Sequence, residues 1–212
     1  MLFLFGESVR SKCTDVGSHD CGVCRGRQPF TEQIESLWFC LFAIPLIRIE
    51  DRARYWRCEN CLSAFDRNNL EEPAHVPLVK RVIAYLLLGY RQDQHESIAS
   101  EICLKITGFE YSGREYKEAI AFLDRGDVEM ADIVRTSAPA MNAIGKQAVL
   151  EAAFLTTYLC CDMQYEDRLR INLIGNSLDV GLEFVEYAIQ QTRKQNYYGV
   201  RRLMHSESVG SE

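Results

Sequence analysis

Two C-x2-C pairs, Cys21-Gly22-Val23-Cys24 and Cys58-Glu59-Asn60-Cys61, constrain the first third of this 212-residue chain more than any other feature. Two thiolates separated by two residues fit on one tight turn and can face the same ion. Two such turns brought together form the tetrahedral sulfur cage that zinc prefers in closed structural sites. A single pair would say little, because redox motifs share its spacing. Two pairs point to one ion with Cys21, Cys24, Cys58 and Cys61 as ligands, the alternative being four unconnected thiols in a reducing cell. The stretch between the pairs, positions 25–57, exceeds the usual spacing, so an extended hairpin is expected between two knuckles.

The nine cysteines are an odd number, and Met1-Leu-Phe-Leu-Phe-Gly6 is too short for a secretory signal. Cytoplasmic residence with reduced thiols is the expectation. The sustained apolar run, residues 37–47, falls well short of the ~20 residues of a membrane span, and Pro45 argues against a helix there. Charge is uneven. Residues 1–70 carry nine basic and nine acidic side chains, so the net charge of −6 belongs to residues 71–212. That later part should repel nucleic acid and anionic lipid.

The composition divides the chain at a linker. Residues 1–66 contain aromatic and β-branched runs broken by Gly, Pro and charge, the pattern of strands, with Arg54-Tyr-Trp-Arg-Cys58 closing a ribbon. Residues 67–77 are polar and hold two prolines, which reads as the linker. Residues 78–204 show helical periodicity, and residues 205–212 form an expected frayed tail. Val79, Val82, Ile83, Leu86 and Leu87 line a first helix. Ile98, Ile102 and Ile106 line a second; Tyr116, Ile120 and Leu123 line a third. Asp93 with Glu96, and Ser112 with Glu115, resemble capping boxes that open the second and third. Gly126 precedes a short helix bearing Met130, Ile133 and Val134. Ser137-Ala138-Pro139 is expected to open the longest helix, through Ala148, Ala152, Leu155 and Leu159. Two more follow, around 169–178 and 182–189. The fold class expected is α+β by domain: a small metal-bound β module, then an all-α bundle of about seven helices.

Each half resembles a known family. Phe3-Leu-Phe-Gly6, the Cys-Gly-Val-Cys knuckle, the apolar stretch 39–47 and Tyr55-Trp-Arg-Cys-Glu-Asn-Cys61 resemble a bacterial zinc-ribbon module, from the start of the chain to about Phe65. The helical part, about 79–189, is similar to the TerB-like fold of tellurite resistance and stress response. The helix order carries that resemblance, with the stretch Ala152-Ala-Phe-Leu-Thr-Thr-Tyr-Leu-Cys-Cys-Asp162. It implies a second, hard-cation site built from repeated acidic motifs. This chain keeps Glu96 and Asp162 but has Gly89, Met163 and Leu169 where the pattern has Asp, Gly and Glu. Two carboxylates in place of four leave a site expected to bind divalent cations weakly if at all.

Other residues invite chemistry and have plainer readings. Cys13 and His19 lie near the first knuckle, but four thiolates already saturate zinc. Cys40 and Cys103 sit in apolar stretches and read as core thiols. Of the adjacent Cys160 and Cys161, one is expected to pack and the other to be exposed. Arg48, Arg52, Arg54 and Arg57 with Tyr55 and Trp56 have the composition of a nucleic-acid surface, but Glu50 and Asp51 interrupt them. Catalysis finds no phosphate loop, nucleophile elbow or His–carboxylate pairing, since His19, His75, His95 and His205 are isolated. The expectation is a non-enzymatic adaptor of stress-response type with one structural zinc, acting on an unidentified protein partner. The rivals are a nucleic-acid-associated protein using the ribbon, and a redox sensor in which oxidised ribbon thiols release zinc.

Overall fold

Three long strands and one short one make a single antiparallel sheet in the order β1-β2-β3-β4: β1 (Phe5–Cys21), β2 (Gly26–Leu41), β3 (Ile44–Cys58) and β4 (Ala64–Phe65). The structure is a computed structural model describing residues 5–42, 44–126 and 128–195. The expected tail at 205–212, with His205, lies outside the described residues. At about 3.3 Å per residue the 16-residue β2 runs roughly 50 Å, so the sheet is a narrow ribbon. Both cysteine pairs fall at one end, where β1 turns into β2 and β3 turns into β4. The register of β3 on β2 slips three times, leaving Leu46, Ile49 and Arg52 as extra residues. Each bulge bends and twists the strand locally.

Among the described residues seven α-helices follow: α1 (Val76–Gly89), α2 (Glu96–Thr107), α3 (Gly113–Asp124), α4 (Met130–Ser137), α5 (Ala143–Cys160), α6 (Tyr165–Ser177) and α7 (Leu182–Lys194). A mixed α+β architecture therefore holds. The α1 stripe of Val79, Val82, Ile83, Leu86 and Leu87 is fully buried, and α1 packs against α2, α3 and α4. Ala148, Ala152, Leu155 and Leu159 of α5 are buried as their periodicity predicts.

Two helix starts differ from expectation. The Ser112–Glu115 capping box forms: the Glu115 carboxylate accepts the Ser112 N–H at 2.9 Å, and Ser112 Oγ accepts the Glu115 N–H at 3.3 Å. The one expected at Asp93 does not. α2 is capped at His95, so Glu96 is its first residue and cannot reach back as a third-position glutamate would. Asp93 instead accepts the Tyr116 hydroxyl on its carbonyl at 2.9 Å. Likewise Ser137-Ala138-Pro139 does not open α5. Ser137 Oγ donates to the Ile133 carbonyl at 2.8 Å as α4 ends, and Ala138–Ala140 is a single 3-10 turn. The cap of α5 is Asn142, whose Oδ1 accepts the Gly145 N–H at 3.0 Å.

The chain forms two compact units, and they are not simply consecutive. Unit 1 comprises Met1–Ala74 and Ala138–Gly145; unit 2 comprises His75–Ser137 and Lys146–Glu212. Most of the stretch expected to be a linker, positions 67–74, thus belongs with the ribbon. So does a short excursion from the helical part, Ala138–Gly145, which packs on β3 through its 3-10 turn.

His75, at the start of α1, is buried, and burial pushes its imidazole down to about 4 from the ordinary 6.5. The folded state holds it neutral, so the unfolded chain binds the extra proton. Its contribution is fully present above pH 6.5 and is lost as pH falls from 6.5 towards 4, amounting to about 3 kcal/mol. Urea unfolding followed at 222 nm should show wild type losing about 2 kcal/mol more than His75→Leu between pH 7.5 and pH 5. Parallel pH dependences in the two proteins would exclude this role.

Candidate metal centre

The two knuckles are built alike. In the first, Cys21 ends β1 and its carbonyl accepts the Arg25 N–H at 2.8 Å; in the second, Cys58 ends β3 and its carbonyl accepts the Leu62 N–H at 2.9 Å. Closing each turn puts Arg25 and Leu62 in the left-handed region, at φ 54° and 60°. That conformation ordinarily favours glycine, and here each turn holds it with a side chain present. The N–H groups of residues 23 and 24 point at Cys21 Sγ, and those of 60 and 61 at Cys58 Sγ. Each turn therefore presents one sulfur ringed by backbone donors and a second sulfur one step nearer solvent.

Facing each other, the knuckles bring the ligand atoms of Cys21, Cys24, Cys58 and Cys61 within 4.8 Å of one another. Across the turns, Cys21 Sγ lies 3.7 Å from Cys61 Sγ and Cys24 Sγ lies 3.9 Å from Cys58 Sγ. Four Zn–S bonds of about 2.3 Å at tetrahedral angles place neighbouring sulfurs about 3.8 Å apart. A disulfide would bring two sulfurs to about 2 Å. All four cysteines are free. The group can hold a metal ion such as zinc.

Burial and hydrogen bonding divide the four thiols. Burial pushes Cys21 up to about 12 and raises Cys58 as well. Cys24 is lowered, first by the Asn60 side-chain amide, whose Nδ2 donates to its Sγ at 3.3 Å. Thiolates crowded at this spacing repel, and two of them are desolvated. A central dication reverses that balance, because coordinated thiols lose their protons to the metal. Phe30 and Phe65, edge to face at 5.6 Å, pack with Cys21 and Cys58 in the core behind the cage.

Both knuckles are held from outside the ribbon strands. The Gly22 N–H donates to the Leu70 carbonyl at 3.0 Å, and Leu70 packs onto the aromatic cluster. At the second knuckle, Asn142 Nδ2 donates to the Leu62 carbonyl at 2.8 Å. The same Asn142 side chain thus caps α5 with its oxygen and holds the second cysteine knuckle with its amide. Sequence reasoning missed these supports, which lie in the supposed linker and just before α5. Asn60 was missed as well, although a side-chain donor inside a ligand pair is a signal visible in the sequence.

Among the described residues the four cysteines are the one group of three or more His, Cys, Asp and Glu side chains placed to share an ion. Glu96 pairs with Lys117 at 3.4 Å, and Asp162 follows the end of α5; neither belongs to such a group. Cys13 points elsewhere, its Sγ donating to Gln33 Oε1 at 2.9 Å. His19 tilts onto Trp56 at 4.9 Å and contacts the Val16 carbonyl through Nε2. Cys40 and Cys103 are buried. Cys160 is buried and pushed up to about 12, while the half-buried Cys161 donates to the Thr157 carbonyl at 3.4 Å. All four arginines of the supposed basic edge are ion-paired: Arg48 with Asp51, Arg52 with Glu50, Arg54 with Glu32 and Arg57 with Glu59. Among the described residues no helix is long and apolar enough to cross a membrane.

No family model matches this chain. Neither a curated protein nor a solved structure shows significant similarity to it.

Proposed function

We propose that this chain is a zinc-binding, non-catalytic adaptor of the cytoplasm in which one structural zinc ion organises the ribbon. The observation that carries the reading is the pair of cross-knuckle sulfur separations, 3.7 and 3.9 Å, which bracket the edge of a zinc–thiolate tetrahedron. Four thiolates complete the coordination shell and leave no open position for water or substrate, so the ion's role is to hold the fold. What remains for the protein is contact. The ribbon presents a long exposed surface, and the helical unit resembles, in its sequence, a stress-response fold. The ion-paired arginines count against nucleic-acid binding, because phosphate contact would have to break existing pairs to release few counterions. The raised thiols of Cys160 and Cys161 count against a redox pair, since the thiolate is the reactive form.

Elemental analysis of protein purified without chelator tests the first half of the proposal and should find one zinc per chain. Iron in its place, revealed by visible absorption, or no metal at all would overturn it. Titration of the same preparation with duplex and single-stranded nucleic acid at ~0.15 M salt tests the second half. Micromolar binding there, lost in Arg52→Glu with Arg54→Glu, would replace the adaptor with a nucleic-acid-binding protein.

A further inference from the structure

Between α1, the end of α3, α4 and α6, all within unit 2, lies a cavity of about 390 Å³, a volume at the small end of ligand pockets. Met130 and Ile174 are its buried floor and Tyr85 and Leu123 its half-buried sides, while Leu173 at the mouth is 56 % exposed. Arg170, Leu173 and Ile174 reach it together because positions i, i+3 and i+4 share one face of α6. Arg170 is the one basic side chain in the described lining. Its guanidinium lies over the Tyr90 ring at 5.0 Å, and its Nη1 sits 4.0 Å from where a Cβ on Gly89 would be. Gly89 follows Tyr85 by about one helical turn, so the cation stands one turn of α1 beyond that wall.

We infer that this cavity binds a small amphipathic monocarboxylate, an unbranched apolar chain with one anionic head. Arg170 is the argument for the head. It has no ion-pair partner among the described residues. The neighbouring carboxylate is already occupied: Asp167 accepts the Tyr90 hydroxyl on Oδ1 at 2.5 Å and the Gln164 N–H on Oδ2 at 2.9 Å. The guanidinium therefore keeps its donors for a carboxylate from outside, which its planar fork fits. The surroundings limit that ligand to a single charge. Asp167 stands close enough to feel the charge of Arg170, Glu129 lines the cavity just before α4, and residues 71–212 carry the net −6. A doubly charged phosphate would meet more of that repulsion than a monoanion. The walls are the argument for the chain. Leu123, Met130, Leu173 and Ile174 offer it no hydrogen bond, and Met130 adapts to an irregular shape. A purely structural arginine, stacked on Tyr90 beside the C-terminal end of α1, would need no apolar hollow next to it.

This inference does not depend on the zinc reading, since every group it uses lies in unit 2, and the two can fail separately. Calorimetric titration of the full chain with octanoate should give a saturable one-site isotherm below ~1 mM. Hexanoate should bind about 15-fold more weakly, because each buried CH₂ is worth about 4-fold. Octan-1-ol has the same chain and no charge. It should bind at least ~10-fold more weakly than octanoate, and Arg170→Gln should remove that preference. Leu173→Gln, at an exposed position, should weaken octanoate and octanol alike while its helical melt without ligand stays that of wild type. If Arg170→Gln does not fold, octanol and Leu173→Gln carry the test. No saturation by octanoate at ~1 mM, octanol binding as tightly as octanoate, or tighter binding of octyl phosphate overturns the proposal. So does octanoate binding that Leu173→Gln leaves unchanged, which would put the ligand elsewhere. Asp127 lies outside the described residues, and Asp127→Asn should bind octanoate as wild type does. A gain of ~10-fold there would identify Asp127 as the ion-pair partner of Arg170 and overturn the proposal as well.

Discussion

Removing the metal from the four-thiolate cage should unfold unit 1 and leave the helices of unit 2 in place. The core at the cysteine end of the ribbon is small: Cys21, Phe30, Cys58 and Phe65, with a few half-buried neighbours packed against them. Two of those four residues are themselves ligands. Structural zinc sites supply about 10 kcal/mol or more of folding free energy, larger than so few aromatic contacts can replace. The two tryptophans of the chain, Trp38 and Trp56, both lie in the ribbon, so their emission reports unit 1 alone. Ellipticity at 222 nm reports chiefly the helices. Chelation, or Cys58→Ser at a position with 0 % exposure, should move tryptophan emission to the red and abolish its cooperative melt. The 222 nm signal should change little, because unit 2 buries its own α1 stripe and most of α5. Metal-free protein that keeps native emission would show that the ribbon folds without an ion and would remove the structural role assigned to it.

The parts of this architecture that are local in the chain were legible in the sequence, and those that depend on distant partners were not. C-x2-C is a local geometric statement, since two residues are what a tight turn needs to present two sulfurs to one point. Doubling it pointed to all four side chains that the fold brings together. The α1 and α5 stripes were likewise legible, because helical periodicity is written within a few turns. Asp93 and Glu96 have the spacing of a capping box, yet the cap depends on where the backbone enters the helix. Tyr116, well beyond the end of α2, takes the Asp93 carbonyl instead. The polar, proline-bearing stretch at 67–77 looked like a linker because solvated turns and turns packed by their backbone share a composition. Its use emerges only when Leu70 meets Gly22, on the far side of the whole β2–β3 hairpin in sequence. Asn142 was invisible for the same reason: an asparagine before a helix announces a cap, and nothing local announces that its amide also reaches Leu62.

Gly22→Ala should weaken the metal site more than its distance from any sulfur suggests. A Cβ built on Gly22 would lie 1.7 Å from the Glu71 carbonyl oxygen and 2.5 Å from its carbon. These are backbone atoms, so no rotamer change relieves the contact, and either the knuckle or the 70–71 segment must move. Moving the segment breaks the Gly22 N–H bond to the Leu70 carbonyl and lifts Leu70 from the aromatic cluster. Moving the knuckle displaces Cys21 and Cys24 relative to the pair across the cage. Forced overpacking of this kind costs about 1–3 kcal/mol, and a lost buried hydrogen bond adds about 1 kcal/mol. Because the ion binds only the folded cage, that cost appears as metal affinity lower by roughly 30-fold or more. Gly26→Ala is the control, since a Cβ there meets nothing within 4 Å. Competition with a chromophoric chelator should therefore show Gly22→Ala releasing zinc at far lower chelator concentrations than wild type, with Gly26→Ala close to wild type. Equal release by all three proteins would mean that the 70–71 segment yields freely. The buttress on the first knuckle would then contribute nothing to holding the ion.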